Sequence, residues 1–291
     1  MRNSREYTCY EEGEKKLKLK WISYPYVFWM ILFIVVPLLL VIVFSFTTGD
    51  VPGELSLTLE NFQRFFQPLY LKVLGKSVNL AVKSTLACLI LGYPIAMIIS
   101  RESVKKRNAM ILLFVLPMWM NFLLRTYAWM TLLGKNGVIN FLITKMGFEP
   151  LNLLYNDSAV LMGMIYNFLP FMVLPIYSVL IKIDKSLIEA AEDLGASKLE
   201  VFSKIVFPLS LPGVISGITM VFMPALSTFV ISRLLGGGQY YLIGNLVEQQ
   251  FLLAGDWNFG SAISIIMMIF IVIAMIITTK FDKDKEGGGL W

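Results

Sequence analysis

The sequence predicts an all-α integral membrane protein with six transmembrane helices and both termini in the cytoplasm. Three observations carry that expectation. First, 57% of the 291 residues are hydrophobic and only 15% charged, with a mean hydropathy of +0.70, far from the balance of a water-soluble domain. Second, Val27–Phe46, Ser158–Ile181, Gly213–Ser232 and Trp257–Thr279 each supply the roughly 20 uncharged residues that a helix needs to cross about 30 Å of hydrocarbon. Ser77–Ser100 and Asn108–Leu133 are long enough too, with one cation apiece, Lys83 and Arg125. Third, 17 of the Lys and Arg residues outside these spans fall in the N-terminal tail, the second-to-third loop, the fourth-to-fifth loop and the C-terminus, against 6 in the alternate segments. The positive-inside rule places the richer set in the cytoplasm.

Residues 1–22 read as a charged cytoplasmic tail and residues 23–48 as the first span. That span is retained rather than cleaved, because a long charged segment precedes it and no small-residue cleavage site follows. Residues 49–76 form an external loop. Beyond its Pro52-Gly53 turn, Leu57-Thr58-Leu59-Glu60-Asn61-Phe62 and Phe65, Phe66 and Leu69 keep an apolar periodicity. Two readings stay open there: an ordered lid that receives an extracytoplasmic partner, or an amphipathic helix lying on the outer headgroups. Residues 77–281 hold the other five spans, with a cytoplasmic loop at 184–212, and residues 282–291 are a C-terminal tail ending in Gly287-Gly288-Gly289. Lys83 is expected to snorkel to the outer interface. No internal repeat is visible, and six unrelated helices make a poor pore alone, so a partner of similar architecture is expected.

Composition excludes much chemistry. The chain has no histidine, which removes Ser-His-Asp triads, Cys-His pairs and histidine metal sites. Its two cysteines, Cys9 and Cys88, make neither a disulfide framework nor a zinc site. No G-x-x-x-x-G-K-[ST] sequence occurs to cradle phosphates. The chain is therefore expected to have no catalytic residue and no metal site. The formal charge of +5 belongs to membrane topology rather than to nucleic-acid binding.

The most informative segment is Glu189–Pro208, a soluble amphipathic insert between two spans. Ser186, followed three residues later by Glu189, reads as a capping box opening a helix with Leu187, Ala190, Ala191 and Leu194 on one face and Glu189, Glu192 and Asp193 in water. Gly195 supplies a left-handed helix end, and Ser197 with Glu200 caps a second helix bearing Leu199, Phe202, Ile205 and Val206. Pro208 and Pro212 are expected to stop it before the fifth span. A polytopic protein keeps such an element to meet a soluble partner.

Glu189, Ala190 and Ala191, then three residues, Gly195, nine residues, Ile205, two residues and Pro208, together resemble the EAA loop of binding-protein-dependent ABC importer permeases. The resemblance covers roughly Trp21 to Phe281 and implies the MetI-like type I permease fold. In that family the loop is the coupling helix, which docks into a groove of the ATP-binding subunit. Glu189 would meet a basic residue there, while Ala190, Ala191 and Gly195 permit close approach, with Ile205 and Pro208 completing the motif. Leu116–Trp129, Asp184-Lys185-Ser186-Leu187 and Leu242-Ile243-Gly244-Asn245 are similar to the spermidine/putrescine branch. The implied partners are a second homologous permease, two copies of an ATP-binding subunit, an extracytoplasmic substrate-binding protein, the bilayer and a polyamine. ATP and Mg²⁺ would bind the ATPase subunits, leaving this chain without a cofactor. The implied location is the bacterial cytoplasmic membrane.

A polycation calls for π-faces, carbonyls and carboxylates along its path. Trp119, Asn121, Tyr127, Trp129, Tyr166 and Phe168 are the candidate path residues, near Pro117, Pro170 and Pro175, whose freed carbonyls can face water. No Asp or Glu lies within the expected spans, so a partner permease would supply acids; Asp157, Glu248 and Asp256 are the nearest. Arg125, Pro224 and Arg233 are candidate structural or gating residues, Arg125 through a pairing that positions the gate. Arg233 departs from some polyamine relatives, which carry an acid there. An importer for another small solute or an anion, with Arg125 and Arg233 as ligands, is the alternative; a secondary carrier or membrane enzyme is more remote.

Overall fold

A computed structural model describes residues 24–49, 56–238 and 240–286. Expectations placed on the tail 1–22, on Cys9, on Pro52-Gly53 and on Gly287–Gly289 lie outside them. The chain divides into two compact units, Met1–Phe65 with Asp256–Ile266, and Phe66–Gly255 with Met267–Trp291.

The first unit contains α1 (Tyr24–Ser45), an apolar helix with none of its hydrophobic window buried. Such a surface is stable in lipid, where exposed Leu and Ile cost nothing. A short antiparallel pair follows, β1 (Thr47–Thr48) against β2 (Ser56–Leu57), and then α2 (Glu60–Phe65). Asn61 closes the end of α1 by donating to the carbonyls of Ser45 and Thr47 at 3.3 and 3.0 Å. Arg64 pairs with Asp256 at 2.7 Å and lies 4.0 Å over the Phe259 ring. At the end of α2 Phe65 is buried, and the next residue, Phe66, is 65% exposed.

The second unit is built on three crossing helices, α3 (Pro68–Arg101), α7 (Asp157–Leu180) and α9 (Lys198–Ser227). In lipid there is little hydrophobic drive between helices, so association rests on close packing at small residues. A Cβ added to Gly213 would lie 2.9 Å from the Pro175 carbonyl, and one on Gly217 would lie 2.7 Å from the Met172 sulfur. The α7–α9 crossing is therefore a backbone contact. Around these three lie α4 (Val104–Val115), α5 (Phe122–Leu133), α6 (Val138–Lys145), α8 (Lys185–Asp193), α10 (Val230–Leu235) and α11 (Ile243–Gln249). The last helix, α12 (Trp257–Glu286), crosses the division between the units.

Among the described residues five helices are long and apolar enough to cross a membrane, or six if a bent pair counts as one span. The expected third span, Asn108–Leu133, is that pair. It breaks by 93° between Trp119 and Phe122, because Asn121 caps a new helix where a continuous one was expected. The second span begins at Pro68 rather than Ser77; Lys72 and Lys76 had masked its first turns in the hydropathy pattern. The fifth is displaced as well. Helix α9 runs unbroken through Pro208 and Pro212 and ends at Ser227, so neither proline separates the insert from the span. A π-helical turn, Phe202–Val206, precedes Pro208; Phe207 donates to the Phe202 carbonyl, and the widened turn accommodates the missing proline N–H.

Candidate functional site

The insert folds as a helical hairpin. Its opening differs from the expected box: Asp184, not Ser186, is the N-cap, its carboxylate accepting from the Ser186 N–H at 3.0 Å while Ser186 lies inside α8. That hydrogen bond holds the Asp184 carboxyl below the usual carboxylate range. The second box forms at the predicted place. The Ser197 N–H donates to Glu200 at 3.0 Å and the Glu200 N–H to Ser197 Oγ at 3.4 Å.

Gly195 turns the chain with φ +84°, and nothing lies within 4 Å of a Cβ built there, so the requirement is backbone conformation alone. Its N–H donates to the Glu192 carbonyl at 2.9 Å and that of Ala196 to Ala191 at 3.0 Å, a Schellman closure. The packed face is rotated from the expected one. Ile188, Ala191 and Ala196 rest on the core, whereas Leu187, Leu194 and Leu199 are 50%, 90% and 75% exposed. Glu189 and Ala190 are exposed, and Ile205 and Pro208 half-buried.

Two features tie the hairpin to the spans. Tyr93 of α3 shares a 2.7 Å hydrogen bond with Ser210 and meets the rings of Phe202 and Phe207 at 5.8 and 5.9 Å. At the hairpin base a cleft of about 670 Å³ is lined by Arg101, Glu102, Arg107, Lys185, Glu189 and Glu192, among others. The hairpin is thus joined to α3 by aromatic packing and to the membrane-spanning part of α9 by continuous helix.

The candidate path residues separate into three groups. Arg125 donates to the Pro117 carbonyl at 2.6 Å and its guanidinium lies 5.7 Å over Tyr166, which meets Trp129 edge-on at 5.2 Å. Trp119 and Tyr127 stand 75% and 46% exposed. Phe168 is buried in the core, and the Asn121 side chain is occupied in accepting from the Leu123 and Leu124 N–H groups at 2.8 and 3.3 Å. The carbonyl of Pro117 itself is thus taken by Arg125. Pro224 sits half-buried inside α9. Lys83 lines a small cleft with Lys76, Asp157 and Tyr240, and Lys76 lies 3.4 Å over the Tyr240 ring.

After Ser227 the chain breaks and reverses. Asn245 stitches this turn: its Oδ1 accepts from Ser232 Oγ at 2.6 Å and the Leu242 N–H at 3.2 Å, and its Nδ2 donates to the Phe229 carbonyl at 2.9 Å. The Ile243 N–H donates to Ser77 of α3 at 2.8 Å. A Cβ on Gly244 would fall 2.4 Å from the Ser227 carbonyl, so α11 seats directly on the broken end of α9. Arg233 on α10 pairs with Glu248 on α11 at 2.9 Å.

Residues 15–286 match the family described as the binding-protein-dependent transport system inner membrane component. The chain belongs to that family. It is 41% identical to the spermidine/putrescine transport system permease protein PotB of Escherichia coli (strain K12), over 88% of this chain and 94% of that one. To the PotB of Haemophilus influenzae it is 38% identical, over 88% and 91%. A solved bacterial alginate ABC transporter, in complex with an alginate pentasaccharide-bound periplasmic protein, shares the fold with a TM-score of 0.80 at 15% identity, covering 97% of this chain and 99% of that one. The chain is accordingly a helical, multi-pass membrane permease with the MetI-like fold.

In this inner membrane component, Asn167 was missed by sequence reasoning. It is 2% exposed in α7, with Nδ2 donating to the Gly163 carbonyl at 2.8 Å and Oδ1 buried with no partner among the described residues. A carboxamide alone within an uncharged span was the available signal.

Proposed function

We propose that this permease is one half of the translocation pathway of a spermidine/putrescine ABC importer. The observation that carries the coupling role is the hairpin itself, held by Gly195 and presenting exposed Leu187, Leu194 and Leu199 beside Glu189. Three exposed leucines on a charged, water-facing element form a surface for a soluble partner. The polyamine cargo is supported by the PotB relatives.

The complete importer would add a PotC-like second permease, two PotA-like ATP-binding subunits and a PotD-like extracytoplasmic binding protein. The hairpin and both termini face the cytoplasm. ATP and Mg²⁺ bind the ATPase subunits, and this chain contributes no catalytic residue, metal ligand or nucleic-acid surface. Reconstitution tests the reading. The purified chain should neither bind nor hydrolyse ATP, and the full complex in proteoliposomes should take up radiolabelled spermidine when the loaded binding protein is added. ATP turnover by the isolated chain, or a complex that carries only anions, overturns it.

A further inference from the structure

No Asp or Glu lies within the uncharged stretches of the spans, so a polycation entering from outside must find its first carboxylate at their outer rim. Of the rim carboxylates in the second unit, Glu149 and Asp157 are exposed, whereas the Glu248 side chain is only 18% exposed. Its ion-pair partner is Arg233, whose own side chain is 63% exposed, at 2.9 Å. The pair is lopsided: a mostly covered carboxylate lies beneath a guanidinium open to water. Asn245, bonded to Ser232 and Phe229, fixes α11 against α10, so the carboxylate is held by the backbone stitch and does not need Arg233 for its position.

We propose that Glu248 is the entry carboxylate for cargo and that Arg233 is an exchangeable stand-in, displaced when an alkylammonium group of the substrate takes its place. This deepens the polyamine reading and rests on it. Chemically the exchange is even, one cation replacing another on the same carboxylate, so no buried charge is left unpaired at any stage. An ion pair with one solvent-open partner is held weakly, which makes the guanidinium readily displaced. Between deliveries Arg233 keeps Glu248 neutralised and closed to inorganic cations. Arg233 thereby acts as a specificity-determining residue.

The test is a double-mutant cycle on the full importer complex in proteoliposomes, measuring spermidine uptake at saturating loaded binding protein, with assembly of each variant checked by its membrane level. Glu248→Gln should lower uptake about tenfold, the rate equivalent of about 1.4 kcal/mol. Glu248→Asp should retain most of it. Arg233→Gln should raise spermidine uptake and make it more readily inhibited by added Na⁺ or Mg²⁺, and the double variant should be as slow as Glu248→Gln alone. If the pair is merely structural, Arg233→Gln falls as far as Glu248→Gln and the double variant recovers; that pattern overturns the inference while leaving the polyamine reading intact. A wild-type complex that takes up no polyamine overturns both.

Discussion

Two proline-bearing stretches of the second unit meet the same chemical problem and resolve it in opposite ways. Just beyond Pro117, between Trp119 and Phe122, the third span turns through 93°, whereas at Pro208 and Pro212 helix α9 continues without interruption from the hairpin into its apolar stretch. Proline removes one N–H donor in each case. What differs is the local alternative. Beyond Pro117 lies Asn121, whose side chain satisfies the first N–H groups of a new helix, and Arg125, which reaches back to the Pro117 carbonyl. Ahead of Pro208 lies only a π-helical turn, and no cap competes for the chain. The break follows the availability of partners for orphaned backbone groups rather than the presence of proline. The outcome is a continuous α9 that joins the hairpin to the spans and a broken third span whose elbow is held by side chains.

The sharpest way to break this comparison is Arg125→Ala, which removes a charge-assisted hydrogen bond and should destabilise the elbow by about 1.5–3 kcal/mol. Thermal inactivation of the solubilised complex should fall by several degrees, with Arg125→Lys recovering part of the loss. An unchanged profile would show that the elbow holds without Arg125. Next in size, Gly195→Val forces a β-branched residue to φ +84°, at a cost of about 1–2 kcal/mol. Uptake should drop about tenfold while membrane insertion is unchanged, and retained uptake would separate the hairpin from coupling.

Smaller effects refine the picture. Asn121→Ala should cost about 1 kcal/mol through loss of the cap, and Asn121→Ser should restore it. Pro208→Ala should shift stability by less than about 1 kcal/mol, because α9 already runs through that position. A gain near the roughly 3 kcal/mol of an interior helix breaker would mean that Pro208 strains α9 after all.

Much of the molecule was legible in order along the chain. Hydropathy located the apolar stretches, since a span must be apolar over its whole length whatever it packs against. The Gly195 turn and the Ser197–Glu200 box were legible for a similar reason: each depends on residues within one turn of itself. The opening of α8 was misread because Asp184 and Ser186 both make plausible caps, and only their final geometry chooses between them. Among the candidate path residues, aromatic identity at helical spacing did not distinguish the buried Phe168 from the exposed Trp119.

The sequence by itself determined six apolar stretches, the amphipathic hairpin between two of them and the left-handed glycine at the hairpin's bend, because all three follow from interactions local in the chain. Tertiary structure alone decided which face of α8 turns inward, where the third span bends, that α9 passes through two prolines, and that Arg233 meets Glu248 across 15 residues. Those outcomes depend on partners far apart in sequence, such as Tyr93 against Ser210 or Ser77 against Ile243, which local periodicity cannot pair.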